Sequence, residues 1–133
     1  MSDNFSEYTA EQITEWLSQG DDMPTAPDPL YVTLYDDGGS ELDGDLENGR
    51  VSTDAGTDWD EPDATSFENA NDIDFGEATT DITVQEVAIK DADDTDGNSN
   101  VLVRGDIQDA PQDFSDGTQV LFEAGDFDFD VLD

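Results

Sequence analysis

The sequence predicts an all-β protein with one short N-terminal α-helix, and three observations carry that expectation. From Leu30 to the end, apolar residues recur at every second position in short runs, the spacing of a half-buried strand. Clusters of Asp, Gly, Ser and Thr separate those runs at close intervals, as turns do. Helical spacing is confined to one stretch before residue 20. Several short strands joined by such turns read as an antiparallel sandwich or barrel.

The helix is expected over residues 9–19. Thr9 is placed as its N-cap, and Gln12 three positions later completes a capping-box pattern. Glu11 and Glu15 suit the positive end of the helix dipole. Ile13, Trp16 and Leu17 fall at i, i+3, i+4 spacing and form one apolar stripe. Gly20 supplies the stop, and Pro24, Pro27 and Pro29 bar continuation. This divides the chain into residues 1–29, a helix with a Pro-rich linker, and residues 30–133, the β domain. A helix so short is marginal alone and needs a surface to pack on, its own domain or a neighbour's.

The first strand reads Leu30-Tyr31-Val32-Thr33-Leu34-Tyr35, with Leu30, Val32 and Leu34 on one face and Tyr31, Thr33 and Tyr35 on the other. Asp36-Asp37-Gly38-Gly39 ends it. Residues 36–66 have few apolar islands, so loops, one or two short strands and local disorder are expected there, with Trp59 as a buried anchor. Ile73 and Phe75 share a face. Ile82, Val84, Val87, Ala88 and Ile89 form a strand with Glu86 and Lys90 toward solvent, and its shift of phase suggests a bulge. Val101–Arg104 returns from it as a hairpin, which Ile107 extends. Val120 and Phe122 mark the next strand. In the final alternation Phe127, Phe129 and Val131 point inward.

Composition narrows function by exclusion. The 133 residues hold 37 acidic side chains, 27 of them Asp, against Arg50, Lys90 and Arg104, for a net charge of -34. Such a charge expands a compact domain through self-repulsion. Salt relieves it, because the Debye length drops from about 8 Å at physiological ionic strength to about 3 Å at 1 M. The expectation is therefore a domain built for concentrated brine. It also argues against direct binding to nucleic acid or an anionic membrane, and no apolar run nears the ~20 residues a spanning helix needs.

The chain has no Cys and no His, so thiol chemistry and the commonest general base are missing. No phosphate loop, dinucleotide fingerprint or nucleophile elbow is present, and the chain is not expected to be an enzyme or to carry a cofactor. The acidic turn Asp91–Asn98 has oxygen ligands at Asp94 and Asp96 beside Gly97. Ala92 and Val103 stand where the first and twelfth calcium ligands of an EF-hand belong, so it reads as a solvated hairpin tip.

Read from Leu30 on, the chain resembles a family of small virion proteins of tailed phages and related archaeal viruses, often labelled tail-fibre-like. Some related jelly-roll proteins act as capsid cement. The matching residues are Leu30, Tyr31, Val32 and Leu34, followed by Asn69, Ile73, Phe75, Ala78 and Thr79. Val84, Ile89, Asp91 and Ala92 come next, then Gly97, Asn98, Leu102 and Gly105. The closing match is Gly117, Val120, Phe122, Ala124 and Gly125. One departure is Asp81-Ile82 where many members have Trp-Gly.

The resemblance implies a jelly-roll-like β-sandwich carried in the virion; synthesis in the host cytoplasm is expected because the acidic start Met-Ser-Asp-Asn-Phe-Ser-Glu lacks an apolar signal region. With the acidic composition it implies a tailed virus of a haloarchaeal host. The expected role is capsid decoration on the major capsid protein, as one of many copies and as a homo-oligomer. A tail, baseplate or fibre part is the alternative, and an acidic DNA mimic is the alternative of another class. Ile13, Trp16 and Leu17, with Tyr31 and Tyr35, are the interface candidates, being the apolar and aromatic types that anchor protein contacts.

Overall fold

A computed structural model describes residues 4–23, 27–93 and 99–130. The hairpin-tip residues Asp94, Asp96 and Gly97, with Pro24 and Val131, lie outside them. The chain order is β1 (Asn4–Phe5), α1 (Glu7–Gln19), β2 (Leu30–Tyr35), β3 (Arg50–Thr53), β4 (Trp59–Asp63), β5 (Ser66–Asn69), β6 (Ile73–Glu77), β7 (Ile82–Val84), β8 (Glu86–Lys90), β9 (Val101–Asp106), β10 (Gln112–Phe114), β11 (Gln119–Phe122) and β12 (Asp128–Asp130). It is an all-β sandwich with one short N-terminal helix.

The strand pairing explains how alternating sequence becomes a closed body. Strand β8 pairs with β9, β7 with β10, β6 with β11 and β5 with β12, all antiparallel. Four pairs nested in this way are one long hairpin folded over on itself, which is the connectivity of a jelly roll. Strands β2 and β3 extend β8, and β1 edges β9, giving the sheet order β1-β9-β8-β2-β3. Val32, Leu34, Val87, Ile89 and Val103 of that sheet join Ile73, Phe75, Val120, Phe122, Phe127 and Phe129 in one core. Phe122 and Phe127 are 4.5 Å apart at their ring centroids, and Phe67 stacks on Phe129 at 5.2 Å.

Several expectations are refined by this arrangement. The N-cap is Ser6, not Thr9: its hydroxyl accepts from the Thr9 amide at 3.1 Å, and the helix starts at Glu7. Thr9 instead donates its hydroxyl to the Leu102 carbonyl at 2.9 Å, fastening the helix to β9. Gly20 closes the helix with φ 71°, a left-handed conformation that suits glycine.

The phase shift between Val84 and Val87 falls at Gln85, where β7 ends and β8 begins. The Ile107 amide bonds the Gln85 carbonyl, and the next pair is Gln112 with Val84. Gln108, Asp109, Ala110 and Pro111 therefore bulge out of the facing strand, not out of the strand that shows the shift.

Residues 36–66, expected to be partly disordered, are structured. Leu42 and Leu46 enter the core, and the Glu47 and Asn48 amides bond the Glu77 and Phe75 carbonyls of β6. Trp59 is half-buried against Phe67 and Phe129, with its indole N–H on the Thr53 hydroxyl at 2.9 Å.

Candidate interaction surface

Two places on the molecule depart from a plain acidic coat. The first is the outer face of β2 and β8. There the strand alternation does not alternate in burial: Thr33, Tyr35, Ala88 and Lys90 are all buried. The segment after β2 turns back, with the Leu42 amide on the Leu34 carbonyl, and lays Glu41 over the sheet. Glu41 binds Arg50 twice, through Nε at 2.7 Å and Nη2 at 2.9 Å. It also accepts from the Thr33 hydroxyl at 2.7 Å and from Lys90 Nζ at 3.1 Å.

Burial alone would raise the Glu41 carboxyl, but donors from Arg50, Thr33 and Lys90 outweigh it and hold its pKa at about 2. Arg50 rises in turn, chiefly through its bond to Glu41. Arg104 bonds Glu86 at 2.9 Å and lies over the Tyr35 ring at 3.8 Å. Burial, then the Glu41 charge, push the Tyr35 phenol upward.

This corrects one expectation and qualifies another. Lys90 does not reach solvent; it stays on the outer face, where the segment carrying Glu41 covers it and supplies the charge its ammonium needs. Tyr35, expected at an interface, is only 6% exposed in the isolated chain, where it forms the floor beneath Arg104.

The second place is the N-terminal helix. No residue of α1 is buried, and Trp16 and Leu17 are 52% and 72% exposed. Ile13 is half-buried beside them. Phe5 and Met23, at either end of the helical segment, are exposed as well. Beneath the helix lies a cavity of about 500 Å³, walled by Phe5, Tyr8, Met23, Leu30, Phe67 and Leu102. Ile13, Trp16 and Leu17 stay together on α1 and do not line the cavity, and Tyr31 is half-buried on β2 away from it. Sequence reading found the helix stripe but not the cavity, since Phe5, Met23 and Phe67 show no shared spacing. No helix among the described residues is long and apolar enough to cross a membrane.

A jelly-roll sandwich whose helix leaves its apolar stripe in solvent is a structural module with a surface to spare. Residues 4–130 match the family model described as Podophage GP4 fiber I protein gp80. The chain belongs to that family of phage fibre proteins, and it is a structural component of a virion. A search of curated proteins finds no match.

Proposed function

We propose that this chain is a fibre-apparatus component of a tailed virus that assembles in concentrated brine, fastened to its virion neighbours by the surface around α1. The family match over residues 4–130 carries the reading. The net charge of -34 supports the brine setting, because only a screened medium makes that charge compatible with a compact sandwich. A haloarchaeal host is the corresponding source. The apolar surface at α1 suits the same setting, since burial of apolar area survives salt that weakens exposed ion pairs.

Capsid decoration is the second reading, favoured by the small single sandwich without internal repeats, which suits a clamp on a shell. Quantitative mass spectrometry of purified particles separates the two. A copy number far below that of the major shell protein supports the fibre reading, and one comparable with it supports decoration. Circular dichroism across a KCl series tests the brine setting: the β signal is expected at molar salt and is expected to fade on dilution. A signal unchanged in dilute buffer defeats it.

A further inference from the structure

The cavity beneath α1 is unusually apolar for this molecule. Among the described residues, four of the five exposed large apolar side chains, Phe5, Trp16, Leu17 and Met23, fall within the first 23 positions. Charge surrounds them on one side of the ledger only. Glu7, Glu11 and Glu15 stand on the same helix, Asp21 and Asp22 precede Met23, and Asp91 lines the cavity. The three cations are all engaged elsewhere, Arg50 and Lys90 on Glu41 and Arg104 on Glu86.

We infer that the cavity receives an apolar anchor from a different protein, a segment carrying Leu, Phe or Met flanked by Lys or Arg. This rests on the reading of the chain as a virion component and names the chemistry of its partner. A second copy is the poorer occupant, because it brings the same carboxylates and has its cations committed. Cations alone would settle anywhere on so acidic a surface, so the cavity fixes where the partner binds and the flanking charge fixes which partner binds. In molar salt only contact-distance pairs keep their value, and the apolar anchor then supplies most of the affinity.

The test uses the full chain at the lowest salt that preserves its circular dichroism. The probes are two labelled synthetic amphipathic peptides with the same Leu/Phe face, one bearing Lys on the polar face and its twin bearing Glu. Fluorescence anisotropy is expected to show the Lys peptide bound at least ~tenfold tighter than its twin, a gap that narrows as NaCl rises. Met23→Glu is expected to weaken the Lys peptide roughly tenfold, while Leu121→Glu, at an exposed apolar site on β11, leaves it unchanged.

Met23→Glu adds negative charge, so purely electrostatic adhesion would strengthen where the cavity reading requires loss. Equal binding of the two peptides, no binding, or a Met23→Glu protein that binds as well as the parent overturns the inference. So does peptide-free self-association in sedimentation that Met23→Glu abolishes, which would make a second copy the occupant. Presence in the particle is measured separately, so failure here leaves the virion reading to its own test.

Discussion

The outer face of β2 and β8 and the outer face of α1 use scarce resources in opposite ways. At the sheet, two of the chain's three cations converge on a single carboxylate, Glu41, and every oxygen of that carboxylate is bonded. Among the described residues, Arg50 Nη1 is the one buried side-chain polar atom without a hydrogen bond. Helix α1 itself carries no Lys or Arg, and apolar side chains there meet solvent. Lys and Arg are thus kept for closing the sheet face, where an unpaired carboxylate would be costly. The surface is left almost wholly anionic, and the helix end is left incomplete. One region is finished within the chain and the other is not.

The sharpest way to break that contrast is Glu41→Gln. The substitution keeps shape but leaves Arg50 and Lys90 buried without their counter-charge, and removing one partner of a buried pair costs about 3–5 kcal/mol. Guanidinium salts would themselves screen the protein, so urea unfolding at fixed high KCl is the suitable measurement. A loss below about 1 kcal/mol, the range of exposed pairs, would mean that the cluster is solvated and that the two regions do not differ in kind.

Acid titration resolves the same contrast by pH. Glu41 has its folded pKa lowered from 4.5 to about 2. Its contribution is complete above the unfolded value and is lost as pH falls through that window to about 2. Asp128 has the opposite sign: burial first, then Asp130 and Asp63, raise its pKa, so its protonation favours the folded state. General protonation toward the isoelectric point near 4.1 also relieves repulsion. At moderate salt the melting temperature is therefore expected to rise as pH is lowered from neutrality, then to fall as pH approaches 2. Glu41→Gln should retain the rise and blunt the fall. A monotonic profile in the parent protein would remove Glu41 from its assigned part.

Much of the sandwich was legible because period-two alternation is local. Ile73 with Phe75, Val120 with Phe122, and Phe127 with Phe129 each declare a shared face within four residues. The Glu41 cluster was not legible, because its partners lie 8, 9 and 49 positions away and nothing local ties them together. Asn69 shows the same limit. Its resemblance to a family position marked it, but only the fold shows its amide spanning the Asn71 and Glu123 carbonyls while its oxygen accepts from Phe127. Residues 36–66 were expected to be loops, one or two short strands and local disorder, since Leu42 and Leu46 are isolated in sequence, although both reach the core. The stripe Ile13, Trp16 and Leu17 was readable as a stripe. What sequence periodicity cannot give is whether the chain itself covers it.

A smaller effect separates the two hydroxyls at the start of α1. Ser6→Ala removes the cap from the Thr9 amide and is expected to cost ~1 kcal/mol in urea unfolding, as cap losses usually do. Thr9→Ala leaves that cap and removes the Thr9 hydroxyl's bond to the Leu102 carbonyl, which the Ser6 amide also bonds, together with the bond it accepts from the Ser6 hydroxyl at 3.2 Å. Its expected cost is about 0.5–1.5 kcal/mol, set mainly by the bond to the Leu102 carbonyl, since the Ser6 hydroxyl is near the surface. Helix loss with Thr9→Ala and none with Ser6→Ala, read in far-ultraviolet dichroism, would restore Thr9 as the cap.

The smallest expected effect is the most telling about the helix. Leu17 is 72% exposed, so Leu17→Ala removes almost no buried area and places the best helix former in its site. Stability of the isolated chain should stay within ~0.5 kcal/mol of the parent, the range for surface substitutions. Glu41→Gln and Leu17→Ala should then differ several-fold in cost although both sit on outward faces. A Leu17→Ala loss of ~2 kcal/mol would belong to a buried side chain. It would mean that the Leu17 face of α1 is also covered by the chain itself in solution, leaving the N-terminal surface as complete as the sheet and no longer open to a partner.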